Sequence, residues 1–230
     1  MAKNKFGSYP LPAWLQSYME RNIGRRPIWN FPHIPDSPEG LSFEMLDFEN
    51  RHHILEMFGN DPDPWVDERF KDPQQLYEYV AHLRIVMPYT GKRGGADWLV
   101  SKEREYVGLL HAFEFSRENF GYNHRKCAMG FAFAENHRGA GLPLRAVQYF
   151  QEFLFRKMDR LYLTASVKRG NLRSIAFLKK LGFRETRLDW EAEHPGKEPP
   201  EEVYLENFRS PQARGRVRNY WKRMEEKYRI

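Results

Sequence analysis

Apolar residues recur with two different spacings along the chain, one typical of strands and one typical of helices. The sequence therefore predicts a mixture of the two. Alternating or continuous apolar runs predict strands at 41–46, 97–101, 106–115, 126–134, 161–167, 183–188 and 202–207. Apolar residues three to four positions apart predict helices at 50–58, 72–83, 142–155, 171–181 and 210–228. Only the segment 126–181 has a strand–helix–strand order, so we predict an α+β fold whose mainly antiparallel sheet contains one parallel pair.

Residues with specific capping chemistry mark the ends of two helices. Asp72 is predicted to cap a helix whose first residue is Pro73, with Gln75 placed to reach back toward the cap. Asn171 is predicted to cap the helix that follows it, and Gly182 to end that helix. These caps locate the first residues of the two helices more precisely than the spacing of apolar residues does.

The two ends of the chain differ from its middle. Residues 1–40 are rich in proline and aromatic residues, so we expect an extension without long regular elements that wraps the domain or a partner subunit. Between 209 and 230, eight basic residues against two acidic ones account for the whole net charge of +6. We therefore predict three regions: an N-terminal extension (1–40), a central domain (41–207) and a basic C-terminal helix (208–230).

The basic helix allows two interpretations. In the first, its apolar stripe, which begins at Val217, packs on the domain while the charges are solvated. In the second, the helix contacts RNA or an acidic partner. The stripe comprises Val217, Trp221, Met224 and Tyr228.

Composition narrows the class of protein. A chain of 230 residues with 41% hydrophobic and 30% charged residues is typical of a globular protein with one sizeable core. A single cysteine, Cys127, excludes an internal disulfide framework and fits a reducing compartment, so we expect a cytoplasmic protein. No apolar stretch approaches membrane-spanning length and no signal peptide is recognisable, so we expect no membrane partner.

A glycine-bearing turn joins the strand ending at 134 to the following helix. Its last residues are Arg138, Gly139, Ala140 and Gly141, and the helical period begins at Leu142. The first N–H groups of a helix have no partner inside it and lie at the positive end of its dipole, so they suit a phosphate. Alone, such a Gly-x-Gly turn is more typical of a tight turn without a ligand.

A second segment changes that balance. Residues 171–183 read Asn-Leu-Arg-Ser-Ile-Ala-Phe-Leu-Lys-Lys-Leu-Gly-Phe. Together with the turn at 138–141, they resemble the acyl-CoA-binding motifs of the GNAT superfamily of N-acetyltransferases. The opening segment 41–83 is similar to the ribosomal-protein N-terminal acetyltransferase (RimJ/RimL-like) branch, and the whole resemblance covers about 41–207.

The resemblance implies a splayed, mixed sheet of six or seven strands flanked by helices, with acetyl-CoA between the fourth and fifth strands. It implies cofactor contacts from two strand residues, the turn and one helix cap: Phe131, Phe133, Arg138, Gly139, Ala140, Gly141, Leu142 and Asn171. Pro143 departs from the family's glycine or alanine, and its missing N–H removes one donor from the turn.

The resemblance also bears on the catalytic acid that protonates the departing thiolate. Many relatives use a tyrosine where this chain has Leu178, but Ser174 matches the serine proposed for this task in the RimJ/RimL-like branch. Ser174 is therefore the predicted acid, with Tyr162 and Tyr204 as alternatives.

The general base that deprotonates the acceptor amine has three candidates on the predicted strands. Glu114 is our prediction, while Glu135 and His111 remain alternatives, and a water relay is a further option. No histidine or cysteine spacing indicates a metal, and no partner pattern makes Cys127 a nucleophile.

The resemblance thus predicts an acetyl-CoA-dependent enzyme that transfers acetyl directly to a primary amine, on a protein N-terminus or a small molecule. The alternative is an acyl-CoA-binding or RNA-associated module without efficient transfer, which the absent tyrosine and Pro143 favour. We expect a monomer or a homodimer.

Overall fold

The computed structural model describes residues 13–22, 24, 31–89, 94–115, 125–139, 141–185 and 201–228. Seven strands form one open, mostly antiparallel sheet in the order β1-β2-β3-β4-β5-β7-β6. In chain order they are β1 (Leu41–Met45), β2 (Gly94–Lys102), β3 (Glu105–Phe115), β4 (Lys126–Phe133), β5 (Tyr162–Lys168), β6 (Arg184–Glu185) and β7 (Glu202–Phe208). The predicted α+β class is confirmed.

Six α-helices accompany the sheet in the described part of the chain. They are α1 (Ala13–Asn22), α2 (His52–Phe58), α3 (Pro73–Ala81), α4 (Leu142–Arg156), α5 (Leu172–Lys180) and α6 (Pro211–Tyr228). Short 3-10 helices lie at Glu68–Phe70, Met87–Tyr89 and Glu135–His137, and a π-helix at His82–Val86 continues α3.

Strand pairing follows the predicted mixture. β4 and β5 run parallel, with Lys126 opposite Tyr162 and Ala128 opposite Thr164. This is the predicted parallel pair, and α4 is the connection that a parallel crossover requires. β1–β2, β5–β7 and β6–β7 are antiparallel. Glu103 and Arg104 both have positive φ between β2 and β3, as a two-residue type I′ hairpin turn demands.

Contacts divide the chain into two compact units. The first comprises 1–111 and 131–143. Its core places α2 and α3 side chains against β2 and β3, through Ile54, Phe58, Leu76, Leu99 and Leu109. Burying such side chains contributes about 1.5–3 kcal/mol each, so this core holds the strands that carry the candidate site.

The second unit comprises 112–130 and 144–230. In α4, Val147, Phe150 and Leu154 are fully buried at the predicted spacing. Val217 of α6 is also fully buried, against Leu161 and Tyr162. The packing interpretation of α6 is therefore confirmed at Val217, while the other three stripe residues lie outside the described side chains. Contact of α6 with RNA has no support here and stays a prediction.

The N-terminal expectation was wrong in one respect. We expected no long regular element before residue 41, but α1 forms a ten-residue helix. Leu15 is fully buried against Ala81 and Val86, and the Tyr18 hydroxyl donates to the Val86 carbonyl at 3.3 Å. No proline lies between positions 12 and 27, so nothing in 13–22 opposes a helix once Leu15 finds an apolar partner. The division into 1–40, 41–207 and 208–230 stays a prediction.

Candidate functional site

The glycine turn has the backbone that the sequence predicts. A 3-10 helix at Glu135–His137 leads into Gly139 and Gly141, whose φ angles are +87° and +77°, and α4 begins at Leu142. Such angles belong to the left-handed region, where a side chain is strained. Within the described residues, the N–H groups of Gly139, Gly141 and Leu142 have no bonded acceptor. The turn therefore presents free donors at the positive end of a 15-residue helix.

Two features modify this turn. Pro143 occupies the second helical position, so α4 offers one N–H fewer than an alanine there would give. Ala140, which we predicted as a cofactor contact, lies outside the described residues.

Arg138 is engaged with protein groups. Its guanidinium donates to the Phe133 carbonyl at 2.8 Å, to Asp63 at 3.2 Å and to both carboxylate oxygens of Asp61. The Asp61 side chain is 1% exposed, and the Arg138 N–H donates to the Glu135 carbonyl at 3.2 Å. Most donors of Arg138 are thus taken by protein groups, which tie the turn to the 61–63 loop. Its contact with a phosphate stays a prediction.

The predicted strand contacts lie at the end of β4. Phe133 is buried and Phe131 half-buried, with ring centroids 6.5 Å apart. A Cβ at Gly108 of β3 would lie 2.4 Å from the Phe133 ring, so glycine is required there for the two strands to pair. The Phe133 carbonyl already accepts from Arg138, whereas its neighbours stay candidates for a pantetheine arm.

Asn171 and Ser174 share the first turn of α5. The Asn171 side chain accepts a hydrogen bond from the Ser174 N–H at 3.1 Å, which confirms the predicted cap. Asn171 is buried and Ser174 half-buried. Of the alternatives to Ser174, Tyr162 is 2% exposed and stacks on Phe208, so it belongs to the core.

The candidate bases differ in their surroundings. Glu114 has a φ of +60° and lies 3.7 Å from the Lys126 ammonium. Glu135 is exposed at the start of a 3-10 helix. His111 instead belongs to a partly buried polar cluster, in which its Nδ1 lies 2.9 Å from an Asp97 oxygen.

Sequence reasoning considered His111 alone and missed its partners. The same Asp97 oxygen accepts from the Tyr79 hydroxyl at 2.6 Å. Burial, and then the Asp97 charge, raise the pKa of Tyr79 well above its usual value, so the phenol stays protonated and donates. Asp97 interrupts an apolar strand, and a buried carboxylate needs partners, which is the signal that could have found the cluster.

The acidic loop at 61–68 is largely neutralised by arginine. Asp61 and Asp63 bind Arg138, and the Asp67 carboxylate binds the Arg69 guanidinium at 3.0 and 3.1 Å. Burial raises the pKa of Asp67, but the hydrogen bonds from Arg69 outweigh it, so the pKa is lowered overall. The loop is thus a set of ion pairs with little free negative charge.

A model of one protein family matches most of this structure. The family is described as an acetyltransferase (GNAT) domain, and the match spans residues 44–184. This chain belongs to the GNAT acetyltransferase family. It is therefore an acetyl-CoA-dependent N-acetyltransferase, with an amine as acceptor. None of the curated proteins compared with it gave a significant sequence match.

Solved structures share the fold of this GNAT domain. A chimera of the spermidine N-acetyltransferase SpeG from Vibrio cholerae and hSSAT is 13% identical, with a TM-score of 0.56 over 77% of this chain and 98% of that chain. Vibrio cholerae SpeG with manganese ions is 16% identical, with a TM-score of 0.51 over 76% and 96%. A dodecameric form of the Vibrio cholerae enzyme is 15% identical, with a TM-score of 0.52 over 74% and 95%. At these sequence identities, the structural similarity establishes the fold and no more.

Two further expectations bear on the surroundings of the enzyme. Among the described residues, no helix has both the length and the apolar character of a bilayer span. In the described part of the chain, one group of side chains has the donor atoms that a metal ion would need. It consists of His52, His53 and Glu56, whose donor atoms lie within 4.8 Å of one another. The cytoplasmic location and the absence of a metal stay predictions.

Proposed function

We propose that the turn at 138–142 binds the diphosphate of acetyl-CoA through backbone N–H groups. The observation that carries this proposal is the pair of glycines at positive φ, placed directly before α4 with their N–H groups unbonded among the described residues. The donors at Gly139, Gly141 and Leu142, with Ala140 between them, match an anion carrying two phosphates. Phe131 would hold the pantetheine arm by its backbone, and Asn171 would contact that arm while it caps α5.

The reaction needs no covalent enzyme intermediate in this proposal. The acceptor nitrogen attacks the thioester carbonyl carbon, the new C–N bond forms, and the C–S bond breaks as the thiolate departs. The nitrogen must first lose a proton, and the thiolate must gain one. Ser174 is the proposed acid for the thiolate. Glu114 stays the base predicted from the sequence, and its carboxylate lies 3.7 Å from the Lys126 ammonium.

The acceptor is proposed to be an amine with a single positive charge, such as a protein N-terminus, as the RimJ/RimL-like branch would imply. The support is the state of the 61–68 loop, where arginines neutralise the carboxylates that would attract a polycation. Spermidine, the substrate named for the SpeG enzymes, carries several charges and gains more from free carboxylates. A small-molecule amine remains the second candidate.

Thiol release from acetyl-CoA tests the proposal. The panel contains trialanine amide, an N-acetylated trialanine amide as control, spermidine and a monoamine. Turnover with free trialanine amide above that with spermidine supports the proposed acceptor, whereas preference for spermidine contradicts it. Tight acetyl-CoA binding in calorimetry without transfer to any amine would favour the alternative, a binding module.

A further inference from the structure

The polar cluster of Tyr79, Asp97 and His111 lies in one compact unit with the glycine turn. Its three side chains come from α3, β2 and β3. Asp97 is 4% exposed and His111 17% exposed, so the carboxylate is buried and the imidazole partly accessible. A buried carboxylate and a phenol held beside one imidazole are not explained by packing of the surrounding apolar core.

We infer that His111 is the general base that deprotonates the acceptor amine, and that Asp97 positions it. This inference rests on the proposed function, since it names a residue for the proton step of the same reaction. It replaces Glu114, which lies beside Lys126, with an imidazole, whose unprotonated ring nitrogen is a proton acceptor.

Hydrogen bonding sets the imidazole tautomer. The Tyr79 hydroxyl donates its hydrogen to an Asp97 oxygen at 2.6 Å, and that oxygen lies 2.9 Å from Nδ1. In its own 3.4 Å contact with Nδ1 the phenol oxygen therefore accepts, so Nδ1 carries the hydrogen. In the part of the chain that is described, Nε2 has no hydrogen-bond partner, and its lone pair can accept a proton.

Packing holds the ring in this orientation. The Phe70 ring stacks on His111 with centroids 5.9 Å apart and planes 7° apart. The Arg69 guanidinium lies 4.5 Å from the centroid of the Tyr79 ring, and Asp67 neutralises it. Among the residues that the structure describes, the charged and titratable groups around the imidazole are thus Tyr79, Asp97 and the Arg69–Asp67 pair.

Strand register places His111 near the proposed cofactor site. The Ala134 N–H donates to the Val107 carbonyl at 3.0 Å, and this bond sets β3 against the end of β4. On antiparallel strands, each step forward along one strand corresponds to a step back along the other. His111 lies four residues after Val107, so it is opposite the position directly before Phe131 on β4. The backbone of Phe131 is proposed to hold the arm that carries the acetyl group.

The proton balance is complete with these groups. Nε2 takes one proton from the acceptor ammonium, and the resulting amine attacks the thioester. The proton lost as the C–N bond forms goes to the departing thiolate, through Ser174 or water. His111 returns its proton to solvent before the next turnover.

The experiment measures turnover with trialanine amide and with spermidine across pH 5.5–9, together with calorimetric binding of acetyl-CoA. In His111→Gln, we expect kcat to fall by about 10²–10⁴-fold, with acetyl-CoA affinity within twofold of wild type. The acidic limb of the wild-type kcat/KM profile should disappear, and imidazole should restore part of kcat in His111→Ala. Asp97→Asn should lower kcat by a smaller factor, and His33→Gln, at an exposed histidine, should change nothing.

Several outcomes would overturn the inference. Wild-type kcat and pH profile in His111→Gln would do so, as would loss of acetyl-CoA binding together with turnover, because that pattern marks a structural role. Nitrogen-15 NMR gives a test without an acceptor: an Nε2–H tautomer for His111 contradicts the inference, and an Nδ1–H tautomer that changes in Asp97→Asn supports it. If wild type binds no acetyl-CoA, the proposed function fails. The tautomer found by NMR still supports or contradicts the inference about His111.

Discussion

Arg138 allows the sharpest test of how the turn is held. Replacing it with methionine keeps much of the aliphatic stem but removes the cation beside Asp61, whose side chain is 1% exposed, and Asp63, which is 10% exposed. The carboxylates of Asp61 and Asp63 would then lie next to each other without the positive charge of Arg138. The Phe133 carbonyl would also lose its donor.

The size of the effect follows from burial. Removing one partner of a buried ion pair costs about 3–5 kcal/mol, and we take about 3 kcal/mol because Arg138 itself is 20% exposed. In a protein of this size, 1 kcal/mol shifts the Tm by about 2–4 °C, so Arg138→Met should lower it by about 6–12 °C. Arg156→Met is the matched control, since its pair with Glu152 is exposed and contributes at most about 0.5 kcal/mol.

Thermal unfolding followed by circular dichroism measures both variants. Adding Asp61→Asn and Asp63→Asn to Arg138→Met should recover most of the loss, because no buried charge is then left unpaired. Acetyl-CoA affinity of this triple variant should stay within about threefold of wild type if the backbone binds the diphosphate. Equal Tm values for Arg138→Met and Arg156→Met would refute the reasoning on burial, and a loss of affinity above tenfold would restore the phosphate role of Arg138.

Four further results are expected. Gly141→Ala should weaken acetyl-CoA binding in calorimetry, because a residue with a Cβ at this φ costs about 1–2 kcal/mol; unchanged affinity would show that the turn is not used. Pro143→Ala should tighten binding by up to about tenfold through the restored N–H, and weaker binding would contradict this. Burial and the hydrogen bond to Glu44 raise the pKa of Tyr106 to about 12, so the stability that this bond contributes is present below pH 10 and lost as pH rises toward 12. The difference in unfolding free energy between wild type and Tyr106→Phe should therefore shrink over that range, and a constant difference would count against the bond. Burial raises the pKa of Cys127 to about 12, so a thiol reagent at pH 8 should label only the unfolded protein, and rapid labelling of the native protein would be inconsistent with the structure.

Local chemistry made much of the fold predictable from the sequence. Asp72 caps α3 by accepting from the Gln75 N–H at 2.7 Å, and Asn171 caps α5 in the same way. Gly139 and Gly141 have the positive φ that a strand-to-helix turn requires. Each of these predictions depends on residues within three or four positions of one another, where propensity and hydrogen-bonding geometry decide the outcome.

Features that depend on distant residues could not be predicted. Arg138 binds Asp61, 77 positions earlier, and a basic residue beside a glycine turn looks the same whether it binds phosphate or aspartate. Asp97 and His111 meet only because β2 and β3 pair in one register, and Tyr79 arrives from α3. Helix α1 likewise depends on Leu15 reaching Ala81 and Val86. In each case the sequence contains the groups but not the distance between them.

A crystal structure with bound acetyl-CoA tests the central claim most directly. We predict diphosphate oxygens within hydrogen-bond distance of the N–H groups of Gly139, Gly141 and Leu142, with the Arg138 guanidinium still bound to Asp61. A diphosphate held by side chains elsewhere, with the turn unoccupied, would contradict the account.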